Sequence, residues 1–323
     1  MNFVILLLAA STIGWTQGVT VRTSAVRFQT APLTGEGSLA NQALKARALI
    51  AGDVHRLRAF VLAEEDATVL EDILKAPAVA IVKVTGLPLK GARISLEAVT
   101  SGGANPHGLV FISGQGGSAA QATPLVRPVV ETSFRNLDTA LQAAQLGAQD
   151  ALQMTCYLSS LDEIGAIGDL AAARFPRAAR SFAQVPVPRE RGFAECEVIA
   201  AARQATGFFN PDGLTASQNF THVAGVSTRQ MVWSGMHLPT DCSEQGVREM
   251  FSKLSGTLKS HGASIEKVAM SYLYPNSARG TELTRELRFD YYWRSQPPAS
   301  TLLGFSGLAA EGACTGVEVA APK

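Results

Sequence analysis

The run AECEVIAA (Ala194–Ala201) is a short apolar strand pattern interrupted by Glu197. Working outward from it, the chain repeats. ISLEAV around Glu97 and TGVEVAA around Glu318 place the same Glu ahead of apolar residues, 100 residues before and 121 after. A second anchor stands 17 or 18 residues ahead of each Glu, where Val79, Arg180 and Ser300 open another strand-like run. A third is a glycine between an amphipathic stretch and a strand, at Gly52, Gly147 and Gly262. Glycine just past a helix is the usual left-handed cap. Phe134, Leu137, Leu141 and Ala144 share one helical face before Gly147, as do Phe251, Leu254 and Leu258 before Gly262. Constant offsets between independent anchors mark internal repetition.

A fourth anchor joins two of the repeats. LVFISGQ (Leu109–Gln115) matches MVWSGM (Met231–Met236), again 121 residues apart, and Arg27–Pro32 is a weaker counterpart. These anchors divide the chain into units at 19–101, 102–206 and 216–323. The Gly-, Pro- and Asn-bearing segment 207–215 serves as a linker. Each unit reads strand, helix, strand, helix, strand, strand. The second helices are expected at Asp66–Lys75, Leu161–Arg174 and Glu282–Trp293.

With 323 residues, 46% apolar and 17% charged, the chain has material for several cores and none of the composition of a disordered protein. Lys+Arg at 28 against Asp+Glu at 27 leaves no basic excess for nucleic acid. Phe3–Ala10 reads FVILLLAA, too short to span a bilayer but the length of a signal-peptide core. Residues 1–18 are therefore expected to be a leader, with the protein secreted or periplasmic and no membrane contact after cleavage. A buried N-terminal strand is the alternative. Cys156 and Cys196 lie in apolar, strand-like runs and read as small buried hydrophobes. Cys242 and Cys314 lie in loop-like sequence, where a bridge is open to them. No CxxC, HxxxH or HExxH pattern occurs, so neither a metal nor any other cofactor is expected.

LVFISGQ, a helix, a strand, FPRAARS and the closing AECEVIAA together resemble the RidA/YjgF family, imine and enamine deaminases formerly called L-PSP endoribonucleases. The match is specific over 107–203, good over 220–321 and weaker over 20–100. The resemblance implies an α+β fold similar to trimeric chorismate mutase, a mixed sheet packed on two helices. Family members are usually homotrimers with ligand clefts between subunits. Three units in one chain therefore imply an intrachain pseudo-trimer, monomeric as a chain, with clefts between its domains.

Hydrolysing an imino acid requires a group to hold the carboxylate and a group to place water. A planar guanidinium supplies the first and a carboxylate the second. By resemblance, Arg180 takes the carboxylate-binding position and Glu197 the water-positioning one. Backbone N–H groups at Ser113, Gly114, Gln115, Ser181 and Phe182 would complete an anion cradle. Glu97 and Glu318 repeat the Glu, but Val79 and Ser300 replace the Arg, so at most one cleft carries both groups. Read alone, Arg180 would be a strand residue paired with Glu190 or Glu195. The expected function is hydrolytic deamination of a carboxylate-bearing small molecule. The alternative is a pseudo-trimer that binds a small molecule, or acts as a scaffold, without chemistry. Ribonuclease activity is disfavoured by the neutral charge and the lack of a His pair.

Overall fold

The computed structural model describes residues 18–103, 105–117, 124–187, 192–308, 310 and 312–323. All of the expected leader but Gly18 lies outside the described residues. In chain order the elements are β1 (Gly18–Arg22), β2 (Val26–Thr30), α1 (Leu39–Leu49), β3 (Val54–Leu62), β4 (Ala78–Val84) and β5 (Ile94–Ser101). β6 (Leu109–Gly116), α2 (Arg127–Ala143), β7 (Ala151–Leu158), α3 (Ile164–Arg174), β8 (Ala179–Gln184) and β9 (Ala194–Ala201) follow. β10 (Phe208–Phe209), β11 (Val223–Val226), β12 (Gln230–Ser234), α4 (Glu244–Ser260), β13 (Met270–Leu273), α5 (Ala278–Leu287), β14 (Ala299–Leu302), β15 (Gly307–Leu308) and β16 (Val317–Pro322) complete the chain.

Three mixed sheets share one strand order. Their common parts are β4-β3-β5-β2, β8-β7-β9-β6 and β14-β13-β16-β12. In each, the first pair is parallel and the rest antiparallel. The registers coincide as well: Glu97 faces Arg58, Glu197 faces Thr155 and Glu318 faces Tyr272. The fold is α+β, three domains of one strand order closed into a pseudo-trimer.

The helices form where capping and periodicity agree. Ser38, Ser243 and Ser277 accept from the N–H three residues on and start α1, α4 and α5. α2 carries Pro128 in its first turn and buries Val130, Phe134, Leu137 and Leu141 on its sheet. Each sheet and its helical cover enclose a separate core, around Leu57, Met154 and Phe251 respectively. The opposite faces of all three sheets meet in a fourth, central core containing Phe28, Phe60, Phe111, Tyr157 and Trp233.

Two expectations need correction. The second helix of the first unit, expected over Asp66–Lys75, is only a 3₁₀ turn at Ala67–Leu70. Asp66 caps that turn through Thr68, but so short a segment before Pro77 cannot sustain an α-helix, so this domain has one α-helix and not two. After α2 the left-handed residue is Gln145, at φ 58°, while Gly147 is extended.

The opening strands are exchanged between domains, which the repeat pattern did not reveal. β1 pairs with β12, and β11 pairs with β6. The residues after β5 run beside the start of β2, with Gly102 N–H on Ala25 O at 2.8 Å and Asn105 Nδ2 on Val26 O at 2.9 Å. Each domain thus lends its opening segment to another, and the exchanges close a cycle. At the far edge of the first sheet, β15 from the third domain pairs with β4. All four cysteines are bridged. Cys156–Cys196 joins β7 to β9, so these two are partners and not separate hydrophobes. Cys242–Cys314 ties the start of α4 to the loop before β16.

Candidate functional site

Glu97, Glu197 and Glu318 point into the central core and converge on two arginines of β3. Arg58 donates through Nε to Glu97 Oε2 at 2.7 Å and through Nη2 to Glu197 Oε1 at 3.2 Å. Its Nη1 lies 3.6 Å from Glu318 Oε1. Arg56 holds Glu318 with two bonds, of 2.6 and 3.2 Å. Thr155 donates to Glu97, Thr301 to Glu197 and Tyr274 to Glu318. Both guanidinium groups also lie over the Tyr272 ring, 5.3 and 4.6 Å from its centroid. The five charged groups are 1–4% exposed.

Three carboxylates against two guanidiniums leave one excess negative charge in this core. Burial pushes the carboxyl of Glu197 up, against the pull of Arg58 and Thr301. The neighbouring carboxylates hold the Arg58 guanidinium charged despite its burial. Arg56 and Arg58 were absent from the sequence-based candidates. The available signal was the alternation in His55-Arg56-Leu57-Arg58, two cations on one face of an otherwise apolar strand.

The clefts between domains are formed by an edge strand of one domain against the fourth strand of another. β14 lies along β6, where Gly114 N–H donates to Thr301 Oγ1 at 3.2 Å and Ser300 N–H to Ser113 Oγ at 3.0 Å. β8 lies along β2, where Ser181 and Thr30 hydroxyls are 3.3 Å apart. β4 lies along β12, and Met236 N–H donates to Val79 O at 2.9 Å.

This arrangement separates the expected catalytic pair. Glu197 belongs to the β6–β14 cleft, whereas β8, which carries Arg180, borders the β2–β8 cleft. Arg180 also faces the other way. It stands opposite Met154, on the helix-covered face, one residue from Ser181, which turns inward. Its Nη1 donates to Phe175 O at 2.9 Å and Ala178 O at 3.1 Å, both in the turn between α3 and β8. Val79 and Ser300 face their helices in the same way.

The expected anion cradle is divided and occupied by the chain itself. Ser181 and Phe182 lie in a different cleft from Ser113–Gln115, and Phe182 points into the helix-side core. Ser113 Oγ donates to Thr221 O at 2.5 Å. Gln115 Nε2 donates to Ser113 O and lies 3.0 Å from His222 Nδ1. The segment before β11 therefore fills the space a ligand would need.

One carboxyl at this cleft was missed. Glu195 shares the inward face with Glu197, and its side chain lies over Gly114, where a Cβ would come within 2.1 Å of Glu195 Oε1. Burial, reinforced by the charge of Glu197, raises it to about 8. Glu195 thus carries a proton near neutral pH beside the β6–β14 cleft. Among the described residues, no set of His, Cys, Asp or Glu side chains is arranged to hold a metal ion.

Residues 100–204 match the family described as Endoribonuclease L-PSP. The central domain is thus similar to that family over about a third of the chain. No curated protein matches the chain. Among solved structures, a Rid family protein of unknown function, YyfB from Yersinia pestis, is 16% identical, covering 36% of this chain and 97% of its own, at TM-score 0.31. A YjgF family member from Neisseria meningitidis is 21% identical, covering 32% and 85%, at TM-score 0.26. The protein YJGH is 26% identical, covering 29% and 76%, also at TM-score 0.26.

Proposed function

We propose that this chain is an exported RidA-type pseudo-trimer that binds a small anionic molecule without hydrolysing it. The carrying observation is the separation of Arg180 from Glu197. Hydrolysis needs the substrate carboxylate held while water is activated at the adjoining carbon. Arg180 spends its donors on the end of α3, and Glu197 is bonded to Arg58 and Thr301. The Glu repeat then serves to close three sheets around a shared ionic core. Export is supported by the two disulfides, which persist in oxidising compartments.

The test is ammonia release from imino acids generated in situ by an amino-acid oxidase. Wild type should add nothing to the spontaneous rate. An increase abolished by Arg180→Ala would overturn the proposal.

Glu195 favours a second reading. A carboxyl that exchanges its proton near pH 8 suits general acid–base work, and it sits beside the backbone of Gly114. On that reading ammonia release occurs, survives Arg180→Ala and is lost in Glu195→Gln.

A further inference from the structure

We infer that the cavity between β10 and the segment following α5 is a binding site for an anion with a flat aromatic body. The inference deepens the ligand-binding reading above and rests on it. The cavity measures about 730 Å³ and is lined by Phe208, Phe209 and Asn210 on one side and by Arg285, Phe289 and Arg294 on the other. That volume falls within the ~300–1,000 Å³ typical of small-ligand sites. It lies outside the filled β6–β14 cleft, with Thr221 and Pro297 between the two; the Thr221 hydroxyl donates to Pro297 O at 2.6 Å.

Charge argues for an anion. Glu286 is the one acidic residue of the lining, against Arg285 and Arg294. Neither arginine forms an ion pair among the described residues. A third guanidinium, Arg288, lies outside the lining but against the ring of Phe289. It is 4% exposed, and among the described residues its Nε has no hydrogen-bond partner and no carboxylate pairs with it. A buried cation without a counter-ion is costly, and an anion in the neighbouring cavity would offset that cost. Burial already draws the Arg288 guanidinium down to about 10.

The rings argue for a planar body. Phe289 has the guanidinium of Arg288 at 4.8 Å and that of Arg294 at 5.2 Å from its ring centroid. Phe208 and Phe209 line the same cavity from β10 as half-buried rings, Phe208 packing on the central core and Phe209 on the helix-side core. Flat apolar ligands pack on such rings, while a planar guanidinium fork takes a carboxylate with two bonds. A small hydrated anion would use the arginines alone and make no use of the aromatic lining.

The experiment is calorimetric titration of the full chain with indole-3-acetate, its neutral analogue indole-3-acetamide, and inorganic phosphate. Indole-3-acetate should bind, and the amide about tenfold or more weakly, the loss expected for one charge-assisted contact. Arg285→Ala and Arg294→Ala should each weaken indole-3-acetate by about tenfold with unchanged melting, both side chains being exposed. Phe289→Ala should weaken acid and amide alike. No binding of the acid, equal binding of acid and amide, phosphate binding as strongly as the acid, or arginine variants that bind like wild type would each overturn the inference. Ammonia release in the oxidase assay would strike the non-hydrolytic reading instead, since none of these residues enters that test.

Discussion

Arg58 of β3 donates to Glu197 of β9 at 3.2 Å, across the junction of two sheets. The same guanidinium serves Glu97 in its own sheet and approaches Glu318 in the third. A residue of the first domain therefore reaches the Glu of every domain. Removing it leaves buried carboxylates without their partner, at a cost of about 3–5 kcal/mol. Arg58→Met should lower the denaturant midpoint accordingly, and Glu197→Gln much less, because that carboxyl is already pushed toward its neutral form. Equal midpoints for Arg58→Met and wild type would remove the ionic core from the account.

Glu195 gives the stability a pH dependence of known sign. Its carboxyl is raised from 4.5 to about 8 in the folded chain, so between those values the folded state holds a proton that the unfolded state has released. Its contribution is full below about 4.5 and is lost as pH rises through about 8. Glu195→Gln has no such loss. The variant should gain on the order of 2–4 kcal/mol relative to wild type between pH 5 and pH 9, read from urea midpoints. A constant difference across that range would contradict the burial of this carboxyl.

The repeat was legible because its anchors are local. A Glu ahead of apolar residues, and a strand start 17 or 18 residues before it, survive in all three domains. Strand exchange was not legible, because β1 and β11 are four or five residues long and carry no mark of which edge they will pair with. Nor was the direction of Arg180. Successive strand residues face opposite sides, so a one-residue difference between Arg180 and Ser181 decides between α3 and the central core. The offset from Arg180 to Glu197 counts residues along the chain and says nothing of which sheet lies across from β8.

Ser113 is the clearest case of a predicted ligand group turned to structural use. Its hydroxyl donates to Thr221 O and accepts from Ser300 N–H, both buried. Ser113→Ala leaves that carbonyl and that N–H unsatisfied, for about 1–3 kcal/mol. The loss should show in melting temperature with no change in indole-3-acetate affinity. A change in affinity without a change in melting would restore Ser113 to a ligand site.

The Cys242–Cys314 bridge spans 72 residues and fixes α4 near Gly280 of α5, where a Cβ would meet Cys314 O at 2.0 Å. Replacing both cysteines by serine should cost about 2–4 kcal/mol. Dithiothreitol should lower the melting temperature of wild type. No shift with reductant would mean the bridge does not form in solution.

The central claim is that one chain supplies the whole trimeric assembly: three sheets, three edge-to-edge clefts and one shared ionic core. Sedimentation equilibrium tests it most directly. The account predicts one particle of a single chain, 34.0 kDa for the full sequence, unchanged over a hundredfold dilution. A stable particle of three chains would contradict it.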